Sequence, residues 1–269
     1  MDIVTLALNE DIGSGDVTSR SVVPEGSRAV AEIRVKEEGI ICGLSVAEEA
    51  FRRVDSAIEF KGLFCDGDRV AAGCVVAEVS GPTRGILAAE RTALNFLQHL
   101  SGIATEAARY ADLGVRVLDT RKTTPGLREL EKYAVMAGGG ANHRMGLYDA
   151  VLIKDNHKAI AGGIAKAVQA ARAKNPGLGI EVEVATLDEA REALSAGADT
   201  IMLDNMDVQT MKKAVRMINK RARVEASGGV DLKSVAEIAA TGVDMISVGS
   251  ALTLSAKALD IALYIKSFL

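Results

Sequence analysis

Short apolar runs recur along the second part of this chain, each followed by a stretch with helical periodicity. From about residue 113 the runs are VRVLD, AVLIKD, IEVEV, TIMLDN, RVEASGG and MISVGS. Between them lie IAKAVQAARAK, LDEAREALSAG, DVQTMKKAVRMINKR and LKSVAEIAATG, which end in Gly or in basic turns as helix C-termini do. Repeated strand–helix units predict parallel strands joined by right-handed crossovers. Such a series builds either an open doubly wound sheet or an αβ barrel short of eight strands. We favour the barrel, because the polar residues collect at the strand ends.

Before residue 105 the pattern is mixed. LNEDIGSGDVTS predicts a short acidic helix and a Gly-Ser-Gly turn; AVAEIRVKEEGIICG alternates like a strand; LSVAEEAFRRV puts Leu44, Ala47, Ala50 and Phe51 on one helical face. KGLFCDGDRVAAGCVVAEVSGPTRGIL has the turn grammar of a small β-sandwich. Biotin and lipoyl carriers share it but need a lysine at the hairpin tip, and the residues after Val79 are Ser-Gly-Pro-Thr, so the region reads as scaffold. A long helix, roughly Leu87 to Tyr110, links the two regions. Its stripe Arg91–Asn95–His99 reads as a solvated face or an interface.

Composition narrows the possibilities. The 269 residues are 48% hydrophobic and 25% charged with formal net charge −4, ordinary for a globular protein and unlike a general nucleic-acid or polybasic membrane binder. Cys42, Cys65 and Cys74 show neither CxxC spacing nor a neighbouring His, so reduced thiols and a cytoplasmic location are expected. The N-terminus lacks a secretory pattern, and no stretch approaches a membrane span.

Against that mild acidity, Val115–Leu118 runs directly into Asp119, Thr120, Arg121, Lys122 and Thr123. The other strands end in Lys154-Asp155-Asn156-His157, in Glu181 and Glu183, in Asp204-Asn205, in Glu225 with Ser227-Gly228-Gly229, and in Gly249-Ser250. Parallel barrels gather their strand C-termini at one mouth, where sites form. A lone Glu183 or Asp204 could simply cap a helix, but six polar strand ends in one segment argue for a functional mouth. The two Gly-rich ends suit a phosphate, since Gly lets backbone N–H groups approach an anion. AVMAGGGANHRMGLYDA adds His143 and Arg144 after three glycines, a tract expected where backbone bends tightly or meets a ligand. Arg121, Lys122, Arg144 and Lys154 together point to a ligand with several negative groups.

With these residues assembled, the sequence resembles the quinolinate phosphoribosyltransferases, through LNEDIGSGDVTS, AERTALNFLQHLSGIAT, DTRKTTPGLRELEKYAVMAGGGANHRMGLYDAVLIKDNH, EVEV, IMLDNM, EASGGV and VGSALT. The resemblance implies an N-terminal α/β sandwich domain over 1–105, with the linking helix, and an incomplete, open α/β barrel of parallel strands over 106–269. A C-terminal helix at about 255–269 is expected to pack back on the N-terminal domain. It also implies Mg²⁺, a homodimer with shared sites, and conversion of quinolinate and phosphoribosyl pyrophosphate to nicotinate mononucleotide, pyrophosphate and CO₂. On that basis Arg121, His143, Arg144 and Lys154 would hold the quinolinate carboxylates, with Lys122 and Thr120 near them or the pyrophosphate. Glu183 and Asp204 would face the ribose hydroxyls and the metal, and Lys122, Lys154, Glu183 and Asp204 would be the catalytic set. Ser227, Gly228, Gly229, Gly249 and Ser250 would take the 5′-phosphate, and Arg91 would reach the partner's site. Two other readings are a Schiff-base barrel enzyme using Lys154 and a non-catalytic binder of a phosphorylated metabolite.

Overall fold

The computed structural model describes residues 2–268. In chain order the elements are α1 (Ile3–Ile12), α2 (Val17–Val22), β1 (Arg28–Val35), β2 (Gly39–Ile40), α3 (Leu44–Val54), β3 (Glu59–Gly62), β4 (Arg69–Val70), β5 (Val75–Pro82), α4 (Thr83–Ala111) and β6 (Val117–Leu118). There follow α5 (Arg128–Ala137), β7 (Val151–Ile153), α6 (Asp155–Ala161), α7 (Ile164–Lys174), β8 (Ile180–Val184), α8 (Leu187–Ser195), β9 (Thr200–Asp204), α9 (Val208–Ile218), β10 (Arg223–Ser227), α10 (Val235–Ala239), β11 (Met245–Ser247) and β12 (Ile261–Phe268). The chain forms two compact units: Met1–Ala108 with Thr124–Gly139 and Ala256–Leu269, and Arg109–Thr123 with Gly140–Ser255. A single cut at 105/106 is therefore replaced by an interleaved path, in which α5 and the C-terminal segment belong to the first unit.

The first unit is built on an antiparallel sheet of order β12-β1-β5-β3. One face of β1, carrying Ala31, Ile33 and Val35, is fully buried and packs with Ala47, Ala50 and Phe51 of α3 and with Ile86, Leu94 and Leu97 of α4. Asp2 starts α1 by accepting the backbone N–H groups of Val4 and Thr5. The stretch expected to end in a helix instead places β12 at the sheet edge, paired antiparallel to β1 from Val35↔Ile261 to Ala29↔Phe268. The reason lies in its period. Ile261, Leu263 and Ile265 alternate with Ala262, Tyr264 and Lys266, and that alternate set packs on the core.

The second unit is a six-stranded parallel sheet of order β6-β11-β10-β9-β8-β7. Each strand lies beside its sequence neighbour, except that β6 lies beside β11, the last. That cyclic order belongs to a barrel with one open seam, between β6 and β7, and not to a doubly wound sheet, whose order reverses. In β8 the residues Ile180, Val182 and Val184 are fully buried, yet the alternating Glu181 is buried too. The same holds in β10, where Val224 and Ala226 flank a buried Glu225. Strands buried on both faces but polar on one place that polar parity inside the barrel. Apolar residues at the other parity face the helices.

Candidate active site

The strand ends of the second unit enclose a cavity of about 540 Å³. Thr120, Arg121, Lys122, His143, Arg144, Lys154, Glu183, Asp204, Ser227, Gly228, Gly229, Gly249 and Ser250 all line it. Arg91 does not; it is exposed on α4 in the first unit. His99, from the same helical stripe, is half-buried against the buried Glu131 at 2.8 Å, so that stripe is not a uniformly solvated face.

Register explains the convergence. β8 and β9 align Glu183 with Met202, β9 and β10 align Met202 with Glu225 and Asp204 with Ser227, and all five line the cavity. The Lys154 ammonium is ion-paired with the Glu183 carboxylate. Lys158, nearly buried, donates to the Glu183 carbonyl at 3.0 Å and to the Glu189 carboxylate at 2.9 Å, tying the end of β8 to α6 and α8. His157 is spent on the start of α6, where its Nδ1 accepts the Lys154 N–H at 3.0 Å.

Two cations mark one wall. Arg144 is held partly by its donation to the Ala150 carbonyl at 3.2 Å. Burial and then the neighbouring Arg121 charge push its pKa below the usual guanidinium range. Lys122 lies across the Gly249 turn: a Cβ on Gly249 would come within 3.2 Å of its Nζ. That puts Lys122 with the phosphate-type loops, while Arg121 and Arg144 stand together elsewhere in the same cavity.

The opposite turn is fixed by Asn205, which the sequence did not single out as a site residue. It sits at φ 51, and its N–H donates to the Ser227 carbonyl at 2.9 Å. Gly228, at φ +97, is needed beneath it, since a Cβ there would be 2.3 Å from Asn205 Oδ1. An Asn after an Asp at a strand end was the available signal, because Asn tolerates this left-handed conformation. The triple-glycine tract makes the tight bend expected of it, with Gly139 at φ +86. None of Gly138, Gly139 and Gly140 lines the cavity. Gly138 lies against α4, where a Cβ would be 2.2 Å from the Ala104 carbonyl oxygen.

Below the mouth a second cavity of about 210 Å³ is lined by His143, Arg144, Glu181 and Glu225 together with Arg116 and Arg223. The buried Asp119 accepts the His143 N–H at 2.9 Å, anchoring that loop to the end of β6. His143 Nε2 is 2.7 Å from Glu181 Oε2 and 3.6 Å from Glu225 Oε2, and its Nδ1 accepts the Arg144 N–H at 2.7 Å. Both ring nitrogens are thus engaged within the protein. Glu225 is 1% exposed, and burial, followed by the Glu181 charge, pushes its pKa up to about 8. Two ionised carboxylates a few ångströms apart would repel by about 4 kcal/mol at an effective dielectric of about 20.

As a candidate Mg²⁺ site, the cavity offers carboxylates on adjacent strands, Glu183 and Asp204, beside room for a phosphorylated ligand. Mg²⁺ favours that donor set of one or two carboxylates plus substrate phosphates. Asp204 accepts the Asn205 side-chain amide at 3.0 Å and lines the cavity.

Comparison with known proteins places this geometry. Residues 16–101 match the N-terminal domain and residues 102–264 the C-terminal domain of quinolinate phosphoribosyl transferase. The probable carboxylating nicotinate-nucleotide pyrophosphorylase of Bacillus subtilis is 48% identical over 259 residues, covering 94% of this chain and 89% of its own. The chloroplastic enzyme of Arabidopsis thaliana is 45% identical over 285 residues, covering 98% and 82%. Among solved structures, the nicotinate-nucleotide pyrophosphorylase of Francisella tularensis superposes with TM-score 0.95 at 44% identity, over 98% of this chain and 95% of that one. NadC of Streptococcus pyogenes does so with TM-score 0.93 at 43% identity, over 99% and 95%. A cation-lined mouth on an open barrel, matched over both domains, makes this chain a member of the quinolinate phosphoribosyltransferase family.

Proposed function

We infer that this chain carries out its family's reaction in the larger cavity: phosphoribosyl transfer from phosphoribosyl pyrophosphate to quinolinate with loss of CO₂, a step of NAD biosynthesis. The observation that carries the placement is the meeting of Arg121, Lys122, Arg144 and Lys154 with two Gly-rich turns around one cavity. Quinolinate brings two carboxylates and its co-substrate a monophosphate and a pyrophosphate, so a desolvated encounter needs convergent cations. Arg121 and Arg144, with Lys154, take the carboxylates, for which a guanidinium fork is suited. Gly228, Gly229, Gly249 and Ser250 receive the 5′-phosphate through backbone N–H groups, with Lys122 above them. Glu183 and Asp204 face the ribose hydroxyls.

As pyrophosphate leaves, positive charge develops at the ribose C1, which Glu183 and Asp204 stabilise from below while Lys122 screens the leaving group. The pyridine nitrogen, held by the arginines, attacks that carbon. The ring then carries the charge, and its nitrogen stabilises the electron pair left when the adjacent carboxylate departs as CO₂. Glu183 and Asp204 are the residues that would hold Mg²⁺, which would supply further neutralisation of the phosphates. No protein nucleophile is required. Lys154 is half-exposed and ion-paired, whereas a Schiff-base lysine is held desolvated, which favours the transferase over the aldolase-like reading.

We further propose a homodimer, or an assembly of dimers, in which the partner subunit's Arg91 completes each site, since Arg91 lies outside its own chain's cavity. Among the described residues no helix is long and apolar enough to cross a membrane. Cys42, Cys65 and Cys74 are unpaired, which suits the cytoplasm.

The test is one assay with purified protein, Mg²⁺, phosphoribosyl pyrophosphate and either acid. Mononucleotide and CO₂ in equal amounts from quinolinate are expected, with nicotinate a poor substrate because it leaves desolvated cations unmatched. Equal use of nicotinate, or no product from either acid, would overturn the reading.

A further inference from the structure

Behind the acid-binding wall lies a buried group of side chains that the reaction as written does not use. Glu181, Glu225 and His143 each present a ligand-type atom within 4.8 Å of the others. Both oxygens of Glu225, Oε1 of Glu181 and Oγ of Ser247 are buried with no hydrogen-bond partner among the described residues. Unsatisfied buried carboxylate oxygens are costly, and the charge of two neighbouring carboxylates is relieved by a cation or a proton.

The imidazole decides between them. His143 Nδ1 accepts the Arg144 N–H, so the ring proton resides on Nε2 and is donated to Glu181 Oε2. A metal on Nε2 would require a ring with both nitrogens deprotonated. A single proton on Glu225 meets the need, because it supplies a donor beside acceptors that lack one, and it removes the clash between two carboxylates.

We propose that Glu225 stands protonated behind His143 and, with Glu181, fixes that imidazole as its neutral Nε2–H tautomer, making both glutamates positioning residues for the acid-binding end of the cavity. Positioning passes along a chain of contacts: Glu225 restrains Glu181, Glu181 orients His143, and His143 Nδ1 holds the Arg144 backbone that aims its guanidinium. The groups facing Glu225 are Glu181 on β8, His143 and Arg144 on the loop before β7, Ser247 on β11, and Arg116 and Arg223 lining the lower cavity. When Glu225 loses its proton to solvent, its carboxylate repels that of Glu181 across the His143 ring. Glu181 then no longer steadies the Nε2–H, and the imidazole that holds the Arg144 N–H loses its orientation. The pKa of Glu225 near 8 puts this event within reach of ordinary kinetics.

The inference rests on quinolinate lying at the Arg121–Arg144 end of the site. For the wild-type protein, KM for quinolinate is expected to rise about tenfold between about pH 7 and about pH 9, while KM for phosphoribosyl pyrophosphate moves less than about threefold. The quinolinate carboxylates stay ionised over that range, so a rise confined to the KM for quinolinate belongs to the protein. Glu225→Gln, neutral at every pH, is expected to abolish it. The infrared spectrum of the wild type near neutral pH is expected to show a protonated-carboxyl stretch that is missing in Glu225→Gln. Should that variant not fold, titrating the same band in the wild type through about pH 8 decides the question. Absence of the band, or a pH-dependent KM retained in Glu225→Gln, would overturn the proposal. Failure to turn over quinolinate at any pH would instead overturn the functional reading, and the band would still report on the proton.

Discussion

Glu225 shows how one side chain can bind stability to pH. Its pKa is raised from the ordinary 4.5 to about 8, so below about pH 4.5 the folded and unfolded chains both hold the proton and its contribution is fully present. Between about 4.5 and about 8 the folded state binds more protons than the unfolded one, so stability falls as pH rises across that window, by on the order of a few kcal/mol. Carboxylates held low by partners, such as Asp199 beside Arg172 and Asp207 at the start of α9, lose their contribution only at more acidic pH and do not mask the effect. Thermal midpoints measured from about pH 5 to about pH 9 should decline in the wild type and flatten in Glu225→Gln; parallel curves would remove the assignment. At this scale the cations were legible in the sequence, because Arg121, Lys122, Arg144 and Lys154 interrupt apolar runs where nothing structural asks for charge. Glu225 and Glu181 were visible as acids in strands but not as a layer beneath the mouth. Their partner His143 lies in a distant loop, and only folding makes the three neighbours.

Elements carry the site through register and turns. Because β9 and β10 pair Asp204 with Ser227, the two turns that follow meet, and Asn205 seats directly over Gly228. Gly228→Ala would add a Cβ at φ +97 and press it to 2.9 Å from the Asn205 backbone nitrogen. A loss of about 1–3 kcal/mol is expected in denaturant unfolding. KM for phosphoribosyl pyrophosphate should rise on the order of tenfold, and KM for quinolinate much less. An equal effect on both substrates would argue that the turn does not hold the phosphate. The strand–helix series was legible from its periods. β12 was not read correctly, since its strict alternation follows a run of helix-favouring residues and only the bare edge of β1 shows what it is for. The triple glycine was visible and its bend at Gly139 expected, but the close packing of Gly138 on α4 needs the fold.

For the whole molecule the open question of assembly has a direct measurement. If the partner subunit's Arg91 completes each site, Arg91→Ala and Lys154→Ala chains are each inactive alone. Mixed and re-equilibrated in equal amounts, they form hybrids with one intact site, restoring about a quarter of wild-type activity. No recovery from folded chains would remove donation in trans. The return of the C-terminal segment to the first unit was legible in the sequence, though as a helix; the inclusion of residues 124–139 in that unit was not, because a boundary drawn along a line cannot express an internal excursion. That return also sets an order in time. Ala29 meets Phe268 across the β1–β12 ladder. During synthesis the residues that build the first sheet emerge early, yet its edge strand emerges after every strand of the second unit. The first unit is therefore begun before the second and closed after it, and β1 travels through translation with one hydrogen-bonding edge unpaired, a template for other chains until its own closing strand arrives.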